Sequence, residues 1–219
     1  MSLLRDMLAA GALAAACIAT PAAALADRIV TYTIDPTHTQ VRFSWVHVGF
    51  STPAAVFTEV NGSITGNHDH PEKSSVEVSM PVKSLDSFVP ALNDHLINSG
   101  DYFKTAEYPQ VTFRSTGLRN GNKARGTFQL LGELTVNGIT RPVVLDAKRN
   151  AVGGHPFYDN APAAGFNATT TLKRSDFGMG KYVPVVSDEL KVDITVEAIE
   201  SSAWRKALEK RAAEAATGG

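Results

Sequence analysis

The side chains that could carry out chemistry are few, and they stand apart in the sequence. His68-Asp69-His70 offers two imidazoles and a carboxylate, which could bind zinc if a third or fourth ligand came from elsewhere, but the segment lies in a polar turn. Asp94-His95 could act as an acid–base pair, although no serine or cysteine stands in a G-x-S-x-G elbow to complete a triad. We therefore predict no catalytic residue and no metal site.

The other histidines and glycines point to structural roles. His38, His47, His95 and His155 occur singly and are interpreted as structural or exposed residues. Residues 177–181 contain a G-x-G without the third glycine or the strand-to-helix context of a nucleotide loop, which predicts a turn between strands and no cofactor. A pair of carboxylates suited to glycoside cleavage stays open as an alternative, because such pairs need not be close in the chain.

The elements that must position these residues are mostly β-strands. Leu134 and Val136 alternate with polar neighbours, and Asn137-Gly138 then supplies two residues that tolerate positive φ, which predicts a two-residue hairpin. The same alternation recurs along the chain. Strands are predicted at residues 29–34, 41–45, 56–65 with an interruption at Asn61-Gly62, 76–82, 111–115, 126–136, 143–152, 166–174 and 190–199.

Three segments do not show this alternation of apolar and polar residues. Leu92, His95 and Leu96 recur at helical spacing and predict a short helix within residues 84–103. The tail from Ser201 predicts an amphipathic C-terminal helix. Residues 153–165, which carry two prolines, predict the longest polar loop.

This pattern predicts an all-β fold. Antiparallel strands with one apolar face must bury that face together, either in a sandwich or by closing on themselves. Closure removes the exposed edges, so we favour an antiparallel eight-stranded barrel with a short helical insertion and a C-terminal helix over the sandwich. Because no linker or repeat divides the chain, residues 27–200 are predicted to form one domain, followed by a helical tail at 201–219.

Residues 1–26 are typical of a cleaved secretory signal. Arg5 precedes a short apolar run at residues 7–18, and Ala24-Leu25-Ala26 supplies the small residues that a signal peptidase reads. The apolar run is shorter than the roughly 20 residues that a membrane-spanning helix needs. The sequence thus predicts export to the periplasm; a lipoprotein attachment at Cys17 and an N-terminal helix of a cytosolic protein are the alternatives.

The cysteine count and the charge limit the chemistry and the kinds of partner that are expected. Cys17 is the only cysteine and lies within the predicted signal, so the mature chain carries no disulfide and no thiol nucleophile. The net charge is -1, and no run of lysine and arginine is interleaved with aromatics. A nucleic-acid partner is therefore not expected.

Apolar side chains on the inward strand phase are the remaining informative set. An eight-stranded barrel is just wide enough to be filled by these side chains or to hold one slender ligand, and the sequence leaves both alternatives open. The predicted ligand-binding residues are Phe43, Trp45, Val78, Met80, Phe113, Phe128 and Leu130, with Leu96 and Phe103 of the helical insertion as candidates for the entrance.

An ordered set of short motifs resembles one known family, the YceI-like proteins, which are bacterial periplasmic polyisoprenoid-binding proteins. The resemblance extends from about Tyr32 to Ala198. Its motifs are Ile34-Asp35-Pro36-Thr37-His38, Val46-His47-Val48-Gly49-Phe50, Asp94-His95-Leu96 followed by Asp101-Tyr102-Phe103, Tyr108-Pro109-Gln110-Val111-Thr112-Phe113, Gly132 to Val143, Arg174-Ser175-Asp176-Phe177-Gly178-Met179, and Ser187-Asp188-Glu189-Leu190. The chain departs from the family at Leu92-Asn93, where an Arg-Asp pair is usual.

The resemblance implies a lipocalin-like barrel, often dimeric, with an apolar interior that holds a long isoprenoid or a similar lipid. The expected function is to sequester or carry an isoprenoid, quinone-like or fatty ligand, with transient contact to a membrane surface. Two other functions stay open: a hydrolase or isomerase that uses Asp94-His95 on an apolar substrate, and a ligand-free interaction or stress-response module.

Overall fold

The computed structural model describes residues 26–217, so the predicted signal segment lies outside the described residues apart from Ala26. The strands are β1 (Ile29–Ile34), β2 (Gln40–Ser44), β3 (Ala54–Phe57), β4 (Asn61–Asn67), β5 (Ser75–Pro81), β6 (Leu85–Asp86), β7 (Gln110–Asn122), β8 (Thr127–Val136), β9 (Ile139–His155), β10 (Ala161–Lys173) and β11 (Glu189–Glu200). The helices are α1 (Pro90–Asn98) and α2 (Ser201–Thr217). Neither helix is long and apolar enough to cross a membrane.

The strands form one closed antiparallel sheet. β1 and β2 are two halves of one interrupted strand, because both pair with β11: Ile34 lies opposite Ala198, and Gln40 lies opposite Thr195. β3 with β4, and β5 with β6, are interrupted in the same way. The eleven stretches therefore follow eight strand paths, and the β1–β11 pairing closes the barrel. The predicted eight-stranded barrel with its two helices is confirmed.

The alternation of side chains explains why the sheet closes. On β5, Val76, Val78 and Met80 pack against the apolar interior, while Glu77 between them is exposed. Successive side chains of a strand point to opposite faces, so an apolar residue at every second position gives each strand one face to bury. A closed barrel buries all of these faces against one another and leaves no long edge unpaired.

One end of the barrel is covered by loops and α1, and we call it the closed end. It collects residues 45–53, 87–109 and 174–188 together with the β8–β9 hairpin. Asn137 of this hairpin ties the loops together: its side-chain amide donates to the carbonyl oxygens of Tyr102 (2.7 Å) and Phe177 (3.2 Å), and its side-chain oxygen accepts from the Lys104 amide (2.9 Å). Asn137 and Gly138 have φ of 52° and 72°, which confirms the predicted Asn-Gly hairpin.

A second buried group organises the loop at residues 174–188 of the closed end. The guanidinium of Arg174 is buried, and it donates to the carbonyl oxygens of Ser187 (2.9 Å), Lys181 (2.8 Å), Val186 (3.0 Å) and Met179. A buried cation is tolerated only where its donors are satisfied, and here backbone carbonyls supply every acceptor. The loop is therefore wrapped around one side chain.

The opposite end, which we call the open end, carries shorter turns at residues 68–74, 123–126 and 156–160. Outside the barrel, α2 packs across this region through Trp204, whose ring lies 5.8 Å from that of Tyr158. Ile199 of β11, which is fully buried, lies beneath this contact. The C-terminal helix thus covers the outer face of the sheet and does not enter the barrel.

Two predictions about the strands are wrong. The break in 56–65 lies at residues 58–60, and Gly62 instead sits inside β4, where a Cβ would clash with the carbonyl oxygen of Glu77. The predicted loop at 153–165 is mostly strand, with a turn only at 156–160. Gly153 and Pro162 are poor strand formers, but their pairing across the β9–β10 hairpin overrides this preference.

Replacing Asn137 by glycine should lower the free energy of unfolding by about 2–4 kcal/mol, because three hydrogen bonds are lost while the positive φ is kept. Asn120→Gly is the matched control: its φ is 55°, and its exposed side chain makes one hydrogen bond, to Gln129. The control should lose less than about 1 kcal/mol. Urea denaturation followed by circular dichroism measures both, and equal losses would contradict the role assigned to Asn137.

Candidate ligand-binding lumen

The barrel interior contains two clusters of apolar side chains, and the residues predicted from the sequence are divided between them. The larger cluster contains Phe43, Trp45, Met80, Leu96 and Phe103. The smaller one is built around Phe113 and Leu130, with Phe128 packed against it, and Val78 touches both clusters. All nine predicted side chains thus face the interior, and their role in binding stays a prediction.

The larger cluster fills the barrel at its closed end with aromatic rings. The ring of Phe43 lies 5.9 Å from that of Trp45 and 6.0 Å from that of Phe57, and Phe57 meets Phe103 edge-on at 6.1 Å. Leu96, from α1, is buried in the same cluster. Leu96 and Phe103, predicted at an entrance, therefore lie in a packed floor of the barrel.

Asn93 occupies one of the two positions where the sequence departs from its family, and it anchors α1 on this floor. Its side-chain oxygen accepts from both the amide (2.7 Å) and the hydroxyl (2.5 Å) of Ser87, and its amide donates to Asp86 (2.9 Å). These bonds hold the start of the helix against β6. The replacement is thus accommodated by local hydrogen bonding.

Above the floor, many apolar side chains point inward but keep part of their surface accessible. Phe128 of β8 and Phe166 of β10 meet edge-on at 6.2 Å across the intervening strand β9. Inward apolar side chains that are only half-buried line accessible space, which is what an apolar ligand could fill. They include Val76, Val78, Leu118, Phe128, Leu134, Leu145, Phe166, Leu172, Leu190, Ile194 and Val196.

Small residues also lie on the inward phase. Ala147 of β9 lies directly opposite Ala168 of β10, and both are buried, so neighbouring side chains cover them. Gly132 lies under the ring of Phe113, which would clash with any Cβ at that position. Small residues therefore make room for larger inward side chains of the neighbouring strands.

At the open end the inner face leads into a groove of about 350 Å³ between β1 and the β9–β10 hairpin. Its lining combines apolar and glycine positions with a few polar ones: Arg28, Val30, Tyr32, His68, Val152, Gly153, Gly154, Asn160 and Pro162. Val152 pairs with the interior residue Ala164, which places it on the inner face of the sheet. The groove is thus the mouth of the lumen.

Polar groups at the mouth are paired with protein partners. The Tyr32 hydroxyl lies 3.1 Å from Nε2 of His68, and burial raises the pKa of Tyr32, with the nearby Glu200 carboxylate adding to the rise. Tyr32 therefore stays neutral at physiological pH. The Arg28 guanidinium donates to the Asp69 carboxylate at 2.7 Å. Within residues 26–217, no buried side-chain nitrogen or oxygen lacks a hydrogen-bond partner.

A larger depression of about 590 Å³ lies on the outer face of β4, β5, β7 and β8. It is lined by polar and charged residues, among them Glu77, Arg114 and Glu133, and the last two form an ion pair at 2.8 Å. It is separate from the lumen, because these side chains lie on the outward strand phase.

Most of the side chains that suggested chemistry lie outside the lumen, but His68 lines the groove at its mouth. Asp94 accepts a hydrogen bond from Asn98 on the exposed face of α1, and His95 packs edge-on against Tyr102. Asp69 is paired with Arg28 at 2.7 Å, which lowers the pKa of Asp69 to about 2. The G-x-G segment forms a turn in which Gly178 has a φ of 77°, as predicted.

The predicted set of ligand-binding residues omits several side chains of the interior, among them Tyr32, Phe57, Phe166 and Val152. Phe166 and Phe57 follow the inward alternation of their strands, so the pattern could have identified them. Val152 lies within the predicted strand 143–152, but a register shift in the β9–β10 pairing places it on the inner face, which alternation from Val143 does not predict.

The model of the YceI-like domain matches residues 32–198. The chain belongs to the YceI-like family. A UPF0312 protein of Azotobacter vinelandii is 35% identical over 90% of this chain and 99% of its own length. The crystal structure of Burkholderia cenocepacia BcnA covers 75% of this chain and 98% of its own, with a TM-score of 0.65 and 20% identity.

A polyisoprenoid-binding domain from Saccharophagus degradans shares the fold of this YceI-like chain. Its structure covers 78% of this chain and 99% of its own, with a TM-score of 0.55 and 12% identity. The barrel described above is the architecture that these structures share with this chain.

Phe103→Ala should lower the free energy of unfolding by about 3–5 kcal/mol, because it leaves a cavity in the aromatic floor. Phe50→Ala, at a phenylalanine that is 92% exposed in a loop of the same end, should change it by less than about 0.5 kcal/mol. Chemical denaturation of both variants tests this. A loss at Phe103 no larger than that at Phe50 would mean that the floor is loosely packed.

Proposed function

We propose that this YceI-like protein binds one long apolar lipid in its lumen and shields it from water. The observation that carries the proposal is the row of inward, half-buried apolar side chains that runs from the aromatic floor to the groove at the open end. The aromatic floor fills only the closed end of the barrel. The middle and the mouth offer apolar surface that a hydrocarbon chain would cover.

Energetics support such a site without polar contacts. Burying an alkyl chain contributes on the order of 0.8 kcal/mol per CH₂, so a polyprenyl or fatty tail gains enough to bind tightly. Real affinities saturate near roughly -18 to -21 kcal/mol, since ordering and desolvation oppose the gain. A lumen of this kind selects by the length and width of the chain more than by its head group.

The ligand class follows from the lining and from the family. Aromatic and branched side chains surround the lumen, and a YceI-like neighbour from Saccharophagus degradans is a polyisoprenoid-binding domain. An isoprenoid, a quinone-like molecule or a fatty chain meets the same requirement of an apolar thread, and an isoprenoid is our first candidate.

The route and the place of loading are part of the same proposal. Phe157, which is 89% exposed, and Ile29, which is 59% exposed, stand beside the mouth as apolar contacts for a membrane surface. The signal-like segment at residues 1–26 supports a periplasmic location. There the protein would carry or sequester its lipid across water, as a monomer or as the homodimer that the family resemblance suggests.

Solvent extraction of untagged protein purified without detergent, followed by mass spectrometry, should yield about one apolar lipid per chain. Protein refolded from denaturant and mixed with long-chain isoprenol should regain the same stoichiometry. A preparation that contains no lipid and takes up neither isoprenol nor fatty acid would overturn the proposal.

Ala168→Phe should weaken binding roughly tenfold, or about 1.4 kcal/mol, because the new ring takes up space on the inner face of β10. Thr169→Phe is the matched control, since the next residue of β10 points to the outside. Titration with a fluorescent fatty acid measures both, and thermal unfolding confirms that each variant folds. Equal affinities would show that the ligand does not pass Ala168.

A further inference from the structure

A cluster of metal-ligating side chains lies on the outer face of the barrel, away from the lumen. Asp35 and His38 come from the turn between β1 and β2, and Glu197 comes from β11. One ligand atom from each side chain lies within 4.8 Å of the other two. The sequence places these residues up to 162 positions apart, so only the closed sheet brings them together.

Backbone pairing fixes the position of this cluster. The Asp35 amide donates to the carbonyl oxygen of Glu197 at 2.9 Å, and the Glu197 amide donates to the hydroxyl of Thr39 at 3.2 Å. The turn is therefore held against β11 by the sheet itself. Two of the three candidate ligands sit on rigid backbone, which limits the conformational entropy that a bound ion would cost.

The carboxylate of Asp35 is the most constrained member. It is fully buried and accepts hydrogen bonds from the Thr37 amide (2.8 Å), the Thr37 hydroxyl (2.6 Å) and Nδ1 of His38 (2.8 Å). Burial alone would raise the pKa of Asp35, but the hydrogen bonds from His38 and Thr37 outweigh it and lower the pKa. Asp35 is thus a fixed anion at neutral pH, and the mostly exposed His38 ring is free to adjust around it.

His155 orients the second carboxylate of the cluster, that of Glu197. Its Nδ1 accepts from the Phe157 amide at 3.2 Å, so Nε2 carries the proton and donates to Oε1 of Glu197 at 3.0 Å. This is the arrangement of a positioning residue, since it holds one carboxylate oxygen and leaves the other for a ligand. Arg211 of α2 places a positive charge near His38, and this charge opposes the binding of a cation. Its guanidinium donates to the Tyr158 hydroxyl at 3.3 Å.

We propose that Asp35, His38 and Glu197 form a binding site for a divalent transition-metal ion, with zinc as the ion it fits first. One imidazole and two carboxylates are a ligand set that zinc accepts, and three protein ligands leave a fourth position for water. Binding through Nδ1 of His38 displaces the hydrogen that this nitrogen shares with Asp35: a singly protonated ring then carries its proton on Nε2, and a doubly protonated ring releases one proton to solvent. The ion would cross-link the β1–β2 turn to β11.

Isothermal titration of untagged, EDTA-treated protein with zinc sulfate should show one site per chain at micromolar affinity or tighter. His38→Ala and Glu197→Gln should each weaken binding at least tenfold, and zinc should raise the unfolding temperature of the wild type but not of either variant. His155→Ala should weaken binding about tenfold, and His155→Gln should restore it, because glutamine can donate to Glu197.

His70→Ala is the control, since His70 is an exposed histidine that lies beside Asp27 and Glu72 but outside the cluster. This variant should bind zinc as the wild type does. The proposal is overturned if the wild type binds no zinc at micromolar concentration, or if binding survives in both His38→Ala and Glu197→Gln. Loss of binding in His70→Ala alone would assign the ion to the turn at residues 68–74.

Discussion

The volume inside a closed eight-stranded sheet is the constraint on which the rest of the structure depends. Strand number sets the width of the barrel, and alternation sends half of every strand's side chains into that space. Rings at Phe43, Phe57 and Phe103 fill the closed end, whereas inward side chains farther along the barrel, such as Val78 and Leu145, are only half-buried. The distribution of side-chain size along the barrel axis therefore decides where a guest molecule fits.

The closed end and the open end of the barrel differ in the interactions that hold their loops and turns in place. Asn137 and Arg174 donate to backbone carbonyls of the loops at residues 87–109 and 174–188 and hold these two loops over the aromatic floor. At the other end the turns are short, and Val152 and Pro162 carry the inner face out to a groove. A ligand that enters there meets apolar surface first and the packed floor last. The floor then sets how long a chain the barrel accepts.

Much of this architecture could be predicted from the sequence, because it depends on local rules. The Asn137-Gly138 hairpin, the alternation of β5 and the helical tail each follow from a pattern within about ten residues. Predictions failed where pairing overrides propensity, as in Gly153 and Pro162 on the β9–β10 hairpin, which strand pairing holds extended. The mouth was missed for that reason, and the entrance was instead expected at α1.

Properties that depend on chain segments far apart could not be predicted in this way. His38 and His155 are isolated in the sequence. Closure of β1 onto β11 brings His38 to Glu197, and the pairing of β9, β10 and β11 brings His155 there from the other side. The β9–β10 hairpin also shows how the lumen and the proposed metal site can remain independent of each other. Gly154 lines the mouth and His155, the next residue, faces outward, so adjacent residues contribute to opposite sides of one sheet. A change of charge at His155 therefore reaches the lumen only through the position of the backbone, and the strand pairing on both sides of β10 holds that backbone in place.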